Sequence, residues 1–238
     1  MDNIRAYSEV APSRGWLVAQ SGNREVRFAF PPVSGTHSDC YKSIAQDKEL
    51  VPAEGLDLAL LAEGAYTQKT PQWQSVRSNF INSWARTPNR VLLIPTNSFT
   101  LDKSLSGILV EKDLQGIGFN TAMQVPDLSS GWTQNELGIY VSSNGNAQFV
   151  PSSTYEGKSF EQDGIAHAHL TPEGAEIFAR TARNNGLITY NRLEKRMSEI
   201  TSTEQWVSLL GQSGDRLDLA GNGDGGSFHA FEVSSVSH

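Results

Sequence analysis

The chain has 238 residues, of which 38% are hydrophobic and 19% charged, and its net charge is −7. That length accommodates one large domain or two small ones, and the recurring Leu, Ile, Val and Phe exclude a disordered chain. The acidic balance disfavours a nucleic-acid partner held by phosphate contacts, and no apolar run approaches the roughly 18 residues that a membrane-spanning helix needs.

The single cysteine, Cys40, permits no intrachain disulfide, which fits a reducing compartment. Met1 to Gly15 lacks the apolar centre of a signal peptide, so cytoplasmic residence and no membrane partner are expected. The densest basic group, Arg180, Arg183, Arg192, Lys195 and Arg196, is interrupted by Glu194 and Glu199 and reads as a solvated helix face.

In chain order, Trp16–Gln20 and Glu25–Phe30 flank Ser21-Gly22-Asn23, a hairpin pattern. A short helix capped near Thr36 or Ser38 follows over 36–46. Pro52-Ala53-Glu54 opens a second helix, with Gly64 as its stop. Trp73, Val76, Phe80, Ile81 and Trp84 give a third helix, 71–84, one apolar face; Thr87-Pro88 ends it. Arg90–Pro95 and Gly107–Glu111 read as strands, and Gly116–Val125 as extended. Leu137–Val141 and Ala147–Val150 flank Asn144-Gly145, a strong hairpin signal. Ile165–Leu170 alternates as a strand. Thr171 then caps a helix with Pro172 at its first position. Leu193, Met197 and Ile200 suggest another helix, and Thr201-x-x-Glu204 is a capping box expected to open one that buries Trp206, Leu209 and Leu210. Arg216–Leu219 and Ser227–Val236 are closing strands.

The two halves echo each other. Gly15-Trp-Leu-Val18 precedes Gly22-Asn23, and Gly138-Ile-Tyr-Val141 precedes Gly145-Asn146. Pro52-Ala53-Glu54-Gly55 has a counterpart in Pro172-Glu173-Gly174, and Thr70-Pro71-Gln72-Trp73 in Thr203-Glu204-Gln205-Trp206. The expectation is an α+β fold of mainly antiparallel sheets with helices on one face, duplicated as lobes 1–130 and 131–238 packed as one unit. Repetition of ordinary turn and cap chemistry is the plainer alternative.

No phosphate loop, dinucleotide fingerprint, nucleophile elbow or zinc-finger spacing occurs, so any site assembles from scattered residues. Four constellations stand out. His167-Ala168-His169 on a strand would point two imidazoles to one side. With Asp163, and with His229 or Asp224 from elsewhere, they would suit a divalent metal, the one cofactor considered. His37 and Cys40 share a helix face, a nucleophile pattern whose simpler reading is a buried thiol. The run Gly221–Gly226 resembles an anion cradle but reads better as a flexible connection. Trp73, Arg77 and Trp84 at i, i+4 and i+11 would present a binding face.

The leading functional expectation is a non-catalytic protein that binds a protein or small molecule at the seam between the lobes. Two alternatives stand beside it: a metal-assisted hydrolase using the His-x-His strand, and a nucleic-acid-binding protein using the Arg and Trp residues.

Overall fold

A computed structural model describes residues 5–10, 15–21, 24–47, 49–95, 105–222 and 228–234. In chain order the elements are β1 (Arg5–Val10), β2 (Gly15–Ser21), β3 (Arg24–Phe30), β4 (Val33–Gly35), α1 (His37–Ile44), β5 (Leu50–Pro52), α2 (Leu56–Thr67) and α3 (Pro71–Asn82). Next come β6 (Ala85–Ile94), β7 (Gly107–Lys112), β8 (Trp132–Gln134), β9 (Tyr140–Ser142), β10 (Ala147–Pro151) and α4 (Gly164–Asn184). The last are β11 (Ile188–Asn191), α5 (Arg192–Met197), β12 (Glu204–Ser213), β13 (Arg216–Asn222), β14 (Phe228–Ala230) and β15 (Glu232–Ser234). No helix among the described residues is long and apolar enough to cross a membrane.

The fold is α+β. A five-stranded sheet has the order β1-β2-β3-β15-β5. A ten-stranded sheet runs β11-β13-β12-β6-β7-β10-β9-β8, with β14 and β4 joined at β6. Pairing is antiparallel except between β11 and β13 and between β14 and β6. Strands from both halves of the chain lie side by side: β12 pairs with β6, and β15 sits between β3 and β5.

Period-two alternation explains the layers. Val91 and Leu93 of β6 and Ile108 and Val110 of β7 join a core with Leu17, Ala19, Val26 and Phe28 of the small sheet. Between these faces lies α2, buried from Leu56 to Tyr66, which is why its sequence is apolar all round. The alternate residues Leu92, Ile94 and Leu109 face the other way and pack with Phe149 and Met123.

Several expectations hold in detail. β2 and β3 form the first hairpin, and β9 and β10 the Asn-Gly one. Thr36 caps α1, its hydroxyl accepting from the Asp39 amide. Others need correction. α2 begins at Leu56 after Gly55 and runs past Gly64 to Thr67. α3 stops at Asn82, because Trp84 has turned to φ 58° and the chain enters β6 before Pro88. Residues 116–125 are irregular with a turn at 118–121, not a strand, with Gly116 and Gly118 at positive φ and their segment tied to the Asp113 carboxylate by the Ile117 and Gly118 amides.

Two corrections change element type. Residues 165–170 are helical. The buried set Ile165, Ala166, His169 and Leu170 recurs at i, i+1, i+4 and i+5, one side of a helix, although the letters also alternate. The Asp163 carboxylate fixes the choice by accepting from the Ile165 and Ala166 amides. Residues 204–213 are a strand, β12, where the capping box predicted a helix. Between β6 and β13, the run Val207–Gly211 buries both faces, a gain that outweighs one exposed helix cap. Thr203–Trp206 therefore enters a strand, whereas its echo Thr70–Trp73 enters a helix.

Gly64 is a point of close approach, not a stop. A Cβ there would lie 2.5 Å from the Trp73 ring of α3. Gly64→Ala should gain about 1 kcal/mol of helix propensity yet lose more to overpacking, for a net destabilisation of about 1–2 kcal/mol. Urea unfolding checks this, and a more stable variant would mean that the α2–α3 contact yields freely.

Candidate functional site

A cleft of ≈ 250 Å³ lies where the two helical segments and both sheets meet. Its floor comes from three adjacent strands of the large sheet: Asn89 on β6, Lys112 on β7 and Gln148 on β10. One wall is the start of α2 with Glu54 before it. The other is His167 to Thr171 in α4, and Arg24 of β3 reaches in from the small sheet.

Local sequence builds both walls. Gly55 takes φ 51°, and a Cβ there would come within 3.3 Å of the Thr171 methyl. Thr171 itself has φ 67° and ψ 162°, which interrupts α4. Pro172 requires such a ψ in the residue before it, and the positive φ costs a β-branched residue about 1–3 kcal/mol. The Thr171 hydroxyl accepts from the Gly174 amide, so the expected cap is present at a kink within α4. Gly174 lets α2 and α4 touch, since a Cβ there would be 3.4 Å from Ala59.

The charges in the cleft are paired. Lys112 Nζ lies 2.9 Å from Glu54 Oε1, and Arg24 Nη2 lies 2.6 Å from Asp57 Oδ1. Burial pushes the Asp57 carboxyl up, against the opposing pull of Arg24. Glu54 Oε2 is buried with no partner among the described residues.

The histidines behave differently from expectation. A helix advances about 100° per residue, so His167 and His169 diverge and do not form a pair on one side. His167 Nε2 is 2.8 Å from the Glu161 carbonyl, and His169 Nδ1 is 2.8 Å from the Ile165 carbonyl. A carbonyl only accepts, so each of these nitrogens carries hydrogen. His167 Nδ1 and His169 Nε2 are both buried and without a partner among the described residues. His169 is 1% exposed, and burial lowers its pKa to about 4. It is a neutral imidazole in a cleft wall, offering an unused acceptor.

The other candidate residues disperse. Asp163 is a helix cap whose second oxygen accepts from Asn191 Nδ2 at 2.7 Å. His229, on β14, meets the Ser34 hydroxyl at 2.7 Å, and Asp224 lies outside the described residues. Among the described residues no group of three or more His, Cys, Asp or Glu is placed to hold a metal ion. Cys40 is buried, its thiol directed at the Val33 carbonyl, and His37 Nε2 meets Asp113 Oδ2 at 3.0 Å. Trp73 is wholly buried, Arg77 covers Tyr66, and Trp84 lies under Arg192, so these three present no common face.

The basic group read as a solvated face is partly a cavity wall. Arg192, Lys195 and Arg196 join Tyr190, Trp206 and Arg216 around ≈ 340 Å³. Arg196 stacks on Trp206 and Arg216 on Tyr190. Asp218 and Glu204 hold Arg192 and Arg196, each at 2.7 Å, so little free positive field remains. Tyr190, Trp206 and Arg216 arrive from separate strands, and no local spacing announces them. Compared with known proteins, the chain matches no family model, no curated protein and no solved structure.

Proposed function

We propose that the chain is a non-catalytic binding protein for a small polar molecule held in the cleft between Glu54–Asp57 and His167–Thr171. The supporting observation is the buried lone pair of His169 Nε2 in the cleft wall, which has no partner among the described residues. An acceptor left unsatisfied costs about 1–3 kcal/mol, which a ligand N–H or O–H would recover. Glu54 Oε2 offers a second acceptor.

Size and charge narrow the ligand. Pockets for drug-sized molecules start near roughly 300 Å³, so this cleft suits something smaller. Arg24 and Lys112 balance Glu54 and Asp57, so the ligand is neutral or zwitterionic and rich in donors. Residues from both halves of the sequence line the cleft. Binding is favoured over acid–base chemistry because an efficient general base has a pKa near the working pH, and His169 sits near 4.

A thermal-shift panel of amino acids, amino sugars and nucleosides tests this. A ligand at about a hundred times its Kd stabilises by about 2.7 kcal/mol, a shift of several degrees for a chain of this size. The expected result is a compound whose shift is lost in His169→Met and reduced in Glu54→Gln. A panel without any shift, or a shift that survives both substitutions, would end the proposal.

A further inference from the structure

A third and larger cavity, ≈ 450 Å³, lies at the opposite end of the helical segment 164–170, between the turn after β10 and α5. Tyr155, Glu156, Tyr190, Glu194 and Met197 line it. Tyr155 is 1% exposed, and its hydroxyl has no hydrogen-bond partner among the described residues. Burial raises the Tyr155 pKa, and the charges of Glu156, Glu194 and Asp163 raise it further, so three carboxylates act on one phenol. Burial and the neighbouring Asp163 also push the Glu194 carboxyl up, although the Gly157 amide donates to it. Lys195 also borders the cavity, and its ammonium lies 3.9 Å from Glu199.

A cavity with surplus negative field, a spare phenol and apolar walls selects a particular chemistry. A bare metal ion would need several converging oxygens, and no such group is present among the described residues. An organic cation has N–H donors for the oxygens and a hydrocarbon part for the aromatic and Met side chains. We propose that this cavity binds a small organic ammonium ion, which donates to the Tyr155 hydroxyl and the Glu194 carboxylate while its methylenes lie against Tyr190 and Met197.

Calorimetric titration of the full chain at low salt with 1,4-diaminobutane tests the proposal. Sodium chloride, magnesium chloride and 1,4-butanediol serve as inorganic and uncharged controls. The diamine is expected to bind and the controls not. A hydrogen bond to a charged group is worth about 1.5–3 kcal/mol, so Tyr155→Phe and Glu194→Gln should each weaken binding by about tenfold or more. Tyr155→Phe keeps the ring in the core, and Glu194→Gln is the second variant should the first not fold. Glu54→Gln, in the other cleft, should leave diamine binding unchanged. No heat with the diamine overturns the proposal. So does equal binding of butanediol or magnesium, or binding that both substitutions leave intact.

Discussion

Asp163→Ala is expected to destabilise the fold by about 2–4 kcal/mol. The carboxylate is buried, and it accepts from the Ile165 and Ala166 amides through Oδ1 and from Asn191 Nδ2 through Oδ2. Losing a helix cap costs about 1 kcal/mol, and each buried donor left without a partner about 1–3 kcal/mol. The effect is large because Asn191 is buried too and itself caps α5, its Oδ1 accepting from the Leu193 and Glu194 amides. One carboxylate thus links the starts of α4 and α5. Asp163→Asn should fall between, since it keeps an acceptor for the helix amides but sets an amide against Asn191. Urea unfolding gives the magnitudes, and the same curves with a chelator separate cap from metal ligand. A chelator that destabilises the parent chain and not the alanine variant would restore Asp163 to a metal site.

Much of the scaffold is legible locally, because caps and turns need particular residues at particular places. Thr36, Thr171-Pro172 and Asn144-Gly145 each name their structure within four residues. Asp163 carried the same kind of signal. A cap two residues ahead of Ile165 argues for helix, and alternation over 165–170 was too short a pattern to weigh against it. The Thr201–Glu204 box failed for the opposite reason. Its chemistry is local, but the residues behind it, Trp206 to Leu210, are taken up by a central strand. The cleft was the least legible feature. Asn89, Lys112 and Gln148 stand far apart in sequence and meet only because β6, β7 and β10 are neighbours. Glu54 read only as a carboxylate suited to a helix start. His169 drew notice through a partner, His167, from which the helix turns it away.

His169 also makes the fold sensitive to acid in a window of its own. The unfolded imidazole titrates near 6.5, and the folded one near 4. Above pH 6.5 both states are neutral and this residue adds no pH dependence. Between 6.5 and 4 the unfolded chain takes up a proton that the folded chain refuses, so stability falls on acidification by about 1.4 kcal/mol per pH unit. Below 4 both states are protonated and the loss is complete, at about 3 kcal/mol. Asp57, Asp163, Glu63 and Asp218 have folded pKa values raised by burial, and they act in the opposite sense over their own ranges. The total curve therefore mixes signs, and the informative quantity is the difference between the parent chain and His169→Met at pH 7 and pH 4. Methionine fills the site without titrating. The variant should lose about 3 kcal/mol less than the parent over that span. Imidazole nitrogen shifts should meanwhile report a neutral ring, protonated at Nδ1, from pH 8 down to 5. A ring that titrates near 6.5 would mean water reaches Nε2 freely, and the acceptor on which ligand binding rests would then already be satisfied.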